Sequence, residues 1–178
     1  MKSQSTVLKQ IKKSSKAVLK AVLRFVYPSF CLHCQETEVV FRQLLCSCCS
    51  ELIEKVPLDE CDSHKAAAVS REGAAGSLVR GLNGYARQEI LKTMASCMIL
   101  QFLSLKWPIP DAVIPFPESP LNKLLAKEFS SLFCLKKRRR PLSDQIILVI
   151  DLEMKAATPW HSLEEKAPKE VFWLGFCK

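Results

Sequence analysis

Two cysteine pairs, Cys31-Leu-His-Cys34 and Cys46-Ser-Cys-Cys49, constrain this chain more than any other feature. Two residues between cysteines let the backbone turn so that both sulfurs face one centre, and a second pair after a short spacer completes a tetrahedral shell. The spacing predicts a structural zinc ion held by Cys31, Cys34, Cys46 and Cys49. Cys48 could replace Cys46 or Cys49, but only Cys46 with Cys49 keeps the two-residue gap. His33, inside the first pair, reads as a solvated residue rather than a ligand. A closed metal site can hold a module with too little core to fold alone. Residues 28–58 are therefore expected to form a small zinc-finger module.

A redox Cys-x-x-Cys is the main competing reading, but it would sit at a helix start within a βαβ pattern and need only one pair. Disulfides fit less well, because the nine cysteines are odd in number and Cys48, Cys61, Cys97, Cys134 and Cys177 are scattered. The basic N-terminus interleaves apolar residues with lysines and so lacks the apolar stretch of a secretory signal. No apolar run reaches the roughly 18–20 residues of a membrane span. The longest, around Ala95–Leu105, is broken by Gln101 and serines and reads as a buried helix. Reduced thiols without a targeting signal point to the cytoplasm.

At 178 residues, 48% hydrophobic and 25% charged, the chain has the size and composition of one globular domain with a small appendage. A net charge of +8 favours an anionic partner, nucleic acid or a phosphorylated ligand. The excess is local. Residues 1–26 carry Lys2, Lys9, Lys12, Lys13, Lys16, Lys20 and Arg24 with no acid, and Lys136, Lys137, Arg138, Arg139 and Arg140 form a continuous run. That run suits phosphate contacts and reads equally as a solvated loop.

Within 1–27, Leu8, Ile11, Val18, Val22 and Phe25 recur at mostly helical steps and predict a basic amphipathic helix over 6–26, stopped by Tyr27-Pro28. Its apolar stripe suits packing on the main domain, while its lysine face suits nucleic acid or a membrane surface. Glu51–Lys55 is expected to be a short helix leaving the second pair, and 59–76 a linker. From 77 to 178 the pattern alternates helix and strand. Ser77–Leu105 is helical with a break near Gly84, and Asp111–Pro117 reads as a short strand fenced by prolines. Leu121–Phe133 is helical, Asp144–Asp151 is a strand with five consecutive apolar residues, Ser162–Ala167 a helical turn and Val171–Phe176 a last strand. Five apolar residues in a row imply burial on both faces, and the strand–helix–strand order implies a parallel α/β sheet. Asp151 then lies where ligands bind in such sheets, beyond a strand's carboxyl end, although an acid there is often only a cap or a solvated end.

Several pieces in order resemble one known family. Tyr27-Pro28-Ser29 before the cysteine pairs, Leu78-Val-Arg-Gly-Leu82, Val113-Ile-Pro-Phe-Pro117 and Ile147-Leu-Val-Ile-Asp151 look like the ComF family. Those are competence-associated proteins with an N-terminal zinc finger and a type I phosphoribosyltransferase-like domain. The resemblance covers most of residues 20–178 and implies a small parallel-sheet phosphoribosyltransferase-like domain behind the basic helix and the zinc-finger module. In the family, two adjacent acids bind the ribose hydroxyls of phosphoribosyl pyrophosphate (PRPP), and a Thr-Thr-Gly loop cradles its 5′-phosphate. Here Asp151 matches the first acid, but Leu152 replaces the second. Lys155 and Ala156 stand for the threonines and Ala157 for the glycine. An Arg-rich stretch after Pro117 is missing, with only Asn122 corresponding, and the active-site cover shrinks to the residues around Lys136–Arg140.

The resemblance names a transferase fold, while the altered signature argues for weak or no transfer, and no residue is assigned a catalytic role. It implies a protein of DNA uptake that contacts single-stranded DNA, or DNA-processing and helicase proteins. A rival reading is an active phosphoribosyltransferase with an altered site, with Asp151, Glu153, Lys155 and Thr158 on PRPP and magnesium as cofactor. A third is a structural adaptor.

Overall fold

The computed structural model describes residues 30–40, 43–84, 87–135, 144–154 and 168–177. The expected N-terminal helix, the run Lys136–Arg140, Lys155, Thr158 and the turn at 162–167 lie outside the described residues. In chain order the elements are α1 (Ser47–Glu51), a 3₁₀ turn (Leu58–Glu60), β1 (Lys65–Val69), α2 (Gly73–Gly81), α3 (Arg87–Ser104), β2 (Ala112–Pro115), α4 (Pro120–Leu132), β3 (Ile146–Glu153) and β4 (Glu170–Cys177). Among these, no helix is long and apolar enough to cross a membrane.

The four strands form one sheet in the order β1-β4-β3-β2. All three pairings are parallel, with Val113 opposite Leu148, Ile150 opposite Leu174 and Ala66 opposite Leu174. The α/β class expected from the alternating pattern is the class observed. β3 runs through the middle, and its Ile147, Leu148, Val149 and Ile150 are all fully buried. Leu148 and Ile150 face the main core with Leu174 and Phe176, while Ile147 and Val149 pack with Trp173 on the opposite face. The continuous apolar run is thus explained by burial on both sides.

The main core is completed by one face of α3 (Ile90, Leu91, Met94, Ala95, Met98, Phe102) and by Leu125, Ala126 and Phe129 of α4. The break near Gly84 separates α2 from α3. α4 starts at Pro120, and the Ser119 hydroxyl accepts from Asn122 N at 3.0 Å, a cap followed by a proline whose missing N–H costs nothing at that position.

Two expectations are corrected. The segment 59–76, expected as a linker, contains strand β1 and the first turn of α2. Alanine has little intrinsic strand preference, so Ala66-Ala-Ala68 carries no strand signal; pairing with β4 and burial of all three decide its state. The helix expected over Glu51–Lys55 instead occupies Ser47–Glu51, starting inside the second cysteine pair and including Cys49. Residues 54–56 run antiparallel along the outer edge of β1: Ser70 N donates to Glu54 O at 2.9 Å and Val56 N to Ala68 O at 3.3 Å. The edge that β1 would otherwise present is thereby covered.

Candidate metal centre and the carboxyl end of the sheet

Each cysteine pair is shaped by its own local structure. Phe30 and Glu38 bridge antiparallel, and the tight turn between them is closed by Cys31 N to Thr37 O at 2.8 Å and Gln35 N to Cys31 O at 3.0 Å. Gln35 adopts φ 59° to complete it. The second pair uses α1: Cys46 is its N-cap and Cys49 lies three residues on, one turn of helix that sets both thiols on one side. Leu32 N donates to Leu44 O at 2.8 Å and joins the two halves.

The thiols of Cys31, Cys34, Cys46 and Cys49 converge within 4.8 Å of one another. A tetrahedral ion with sulfur ligands at about 2.3 Å needs sulfur–sulfur edges of about 3.8 Å, so the four could hold one metal ion with small side-chain adjustments. Cys31, Cys46 and Cys49 are buried and Cys34 is half-buried, so the site is closed on most sides. Burial acts to raise the Cys31 thiol, but backbone hydrogen bonds at Cys46, Cys34 and His33 outweigh it and bring the pKa down to about 6. Backbone groups of Glu36 and Thr37 lower Cys34. Cys49 is pushed up to about 12, first by the neighbouring Cys46 thiol, then by burial and by Cys31 and Cys34. Crowding four thiolates is unfavourable without a cation among them, and a dication removes that penalty.

His33 is not among the converging ligands, as the spacing implied, but it is not solvated either. It is half-buried, and its Nδ1 lies 3.0 Å from the Ser77 hydroxyl, which also accepts from Arg80 Nη2 at 2.8 Å. Ser77, Arg80 and their link to the cysteine module had no short-range sequence signal, since the partners are separated by 44 residues.

At the carboxyl end of β3, Asp151 is 4% exposed. Its Oδ1 accepts from Asn122 Nδ2 at 3.2 Å and from Glu153 N at 3.3 Å. Asn122 also donates to the carbonyls of Phe116 (3.0 Å) and Pro117 (3.1 Å), and its Oδ1 accepts from Leu152 N at 3.0 Å. This one buried amide therefore ties the ends of β2 and β3 to α4. Burial pushes the Asp151 carboxyl above its ordinary value, against the hydrogen bonds from Glu153 N and Asn122. Leu152 packs against the main core, in line with Leu148 and Ile150. Glu153 turns to Arg71 in the β1–α2 loop, 3.0 Å away. Of the residues the resemblance would place on PRPP, Asp151 lies two residues before the end of β3, Glu153 is its last residue, and Lys155 and Thr158 lie outside the described residues. No family model matches this chain, no curated protein matches it and no solved structure matches it.

Proposed function

We propose that this chain is a ComF-like zinc protein that binds rather than transfers, contacting single-stranded DNA or proteins that handle it. The reading pairs a zinc-finger module with a phosphoribosyltransferase-like sheet whose transferase chemistry has lapsed. Zinc is the proposed ion because four thiolates in a closed shell are its usual structural donor set. The observation that carries the non-catalytic reading is the state of Asp151. Its carboxylate is buried and engaged by Asn122 and by Glu153 N, and its neighbour Leu152 belongs to the core. A donor site for PRPP needs two acids free to accept from ribose hydroxyls; here one is buried with its Oδ1 already accepting two hydrogen bonds, and the other is an apolar side chain. A net charge of +8 supports an anionic polymer as the partner, with Lys136, Lys137, Arg138, Arg139 and Arg140 as the proposed phosphate contacts. Reduced thiols suit a cytoplasmic setting.

The test places zinc-loaded protein with PRPP and magnesium in a thermal-shift assay, and with labelled single-stranded DNA in an anisotropy titration. The expected results are no shift with the donor and DNA binding that weakens steeply with salt. If five phosphates are neutralised, affinity drops on the order of a hundredfold between about 50 and 200 mM salt. Replacing the five basic residues 136–140 should flatten that slope. Stabilisation by PRPP with magnesium would instead establish the altered-site transferase that uses Asp151, Glu153, Lys155 and Thr158. Failure of both ligands would leave the adaptor reading.

A further inference from the structure

The two residues between the first pair of metal-site cysteines, Leu32 and His33, both engage the same helix. His33 Nδ1 meets the Ser77 hydroxyl at 3.0 Å, and Arg80 holds that hydroxyl from the other side at 2.8 Å. Leu32 reaches Gly81, where an added Cβ would stand 2.9 Å from both the Leu32 and the Ile90 methyl groups. Ser77 and Gly81 are four residues apart on α2, hence on one face. The chain leaving the module then lies along β1, with Val56 N on Ala68 O and Ser70 N on Glu54 O. From the other direction, Gln101 of α3 donates to Val56 O at 2.9 Å. A knuckle that merely decorated the domain would leave the residues between its ligands in solvent.

We propose that metal occupancy at Cys31, Cys34, Cys46 and Cys49 is coupled to the docking of this module on α2 and to the cap on the β1 edge, with Leu32 and His33 as the coupling residues. The inference rests on the metal reading above. A closed thiolate shell holds the backbone of 31–34 in the one shape that presents Leu32 to Gly81 and His33 to Ser77. Without the ion that shape has to be imposed on a loop with many others available, at a cost in conformational entropy. Coupling of this kind is reciprocal: the factor by which the metal favours docking is the factor by which docking favours the metal, so weakened docking lowers metal affinity.

Ser77→Ala and Gly81→Val test this, because both lie on α2 and leave the ligand loop untouched. Zinc affinity is read by competition with a chromogenic chelator on the full chain, with Ser96→Ala, on an exposed turn of α3, as control. Ser77→Ala should weaken zinc binding about three- to tenfold, the size of one net hydrogen bond, and Gly81→Val by more, while Ser96→Ala changes nothing. Hydrogen exchange gives a second readout: the amides of Val56 and Ser70 should exchange faster after chelation. Wild-type affinity in the Ser77→Ala protein, or equal protection of those amides with and without zinc, overturns the coupling. Wild-type protein that takes up no zinc overturns the metal reading itself.

Discussion

A single amide, Asn122, organises the carboxyl end of the sheet. It is buried, and four groups depend on it: the carbonyls of Phe116 and Pro117, the Asp151 carboxylate and the Leu152 amide. Asn122→Ala strands several of these away from water and should cost on the order of 2–4 kcal/mol in denaturant unfolding; a loss below about 1 kcal/mol would show that water replaces the amide. Asp151 supplies a pH signature. Burial raises its folded pKa above the unfolded value, so its contribution is fully present below the unfolded pKa and is lost as pH rises through the folded one. Asp151→Asn should therefore gain on the wild type as pH rises past the ordinary carboxylate range, and a difference that stays constant there would contradict the burial argument. Asp151 was legible in the sequence because a lone acid ends a fully apolar strand. Its burial and its hydrogen bond from Asn122 were not, since Asn122 lies 29 residues away.

The elements differ in how plainly their sequences announce them. β3 follows from its run of apolar residues, and both β3 and α4 form within two residues of their expected positions. β1 does not, because three alanines become a strand only through β4 and the helices above it. α2 shows a second effect of context. In an open helix, glycine to alanine adds roughly 1 kcal/mol of stability. At Gly76, however, a Cβ would stand 2.5 Å from the Arg71 carbonyl, a backbone atom that cannot swing aside. Gly76→Ala is thus expected to destabilise by about 1–3 kcal/mol, and a rise in thermal midpoint would sink that argument. Within α4, Phe129 is fully buried, stacked on Phe133 at 5.7 Å and edge-on to Phe102 at 6.2 Å. Phe129→Ala should cost about 3–5 kcal/mol by chemical denaturation.

At the scale of the molecule, the cysteine module packs directly against the sheet domain rather than hanging from a linker. Leu32, Leu44, Leu45 and Ile53 pack against the main core, and residues 54–56 extend the sheet past β1. Calorimetry with a strong chelator should show one unfolding transition moved downward; free metal at a thousandfold over its dissociation constant contributes about 4 kcal/mol. Two transitions, with the larger unmoved, would mean separate units. By themselves, the residues determined what local spacing and periodicity can encode: the four converging cysteines, the buried central strand, the two longest helices and the parallel α/β class. These depend on neighbours a few positions apart, where backbone geometry alone sets which side chains meet. Only the tertiary structure decided that the supposed linker is a strand, that His33 docks on Ser77 and that Asp151 is held by Asn122. Those outcomes depend on contacts between distant segments, whose energies exist only once the chain has brought them together.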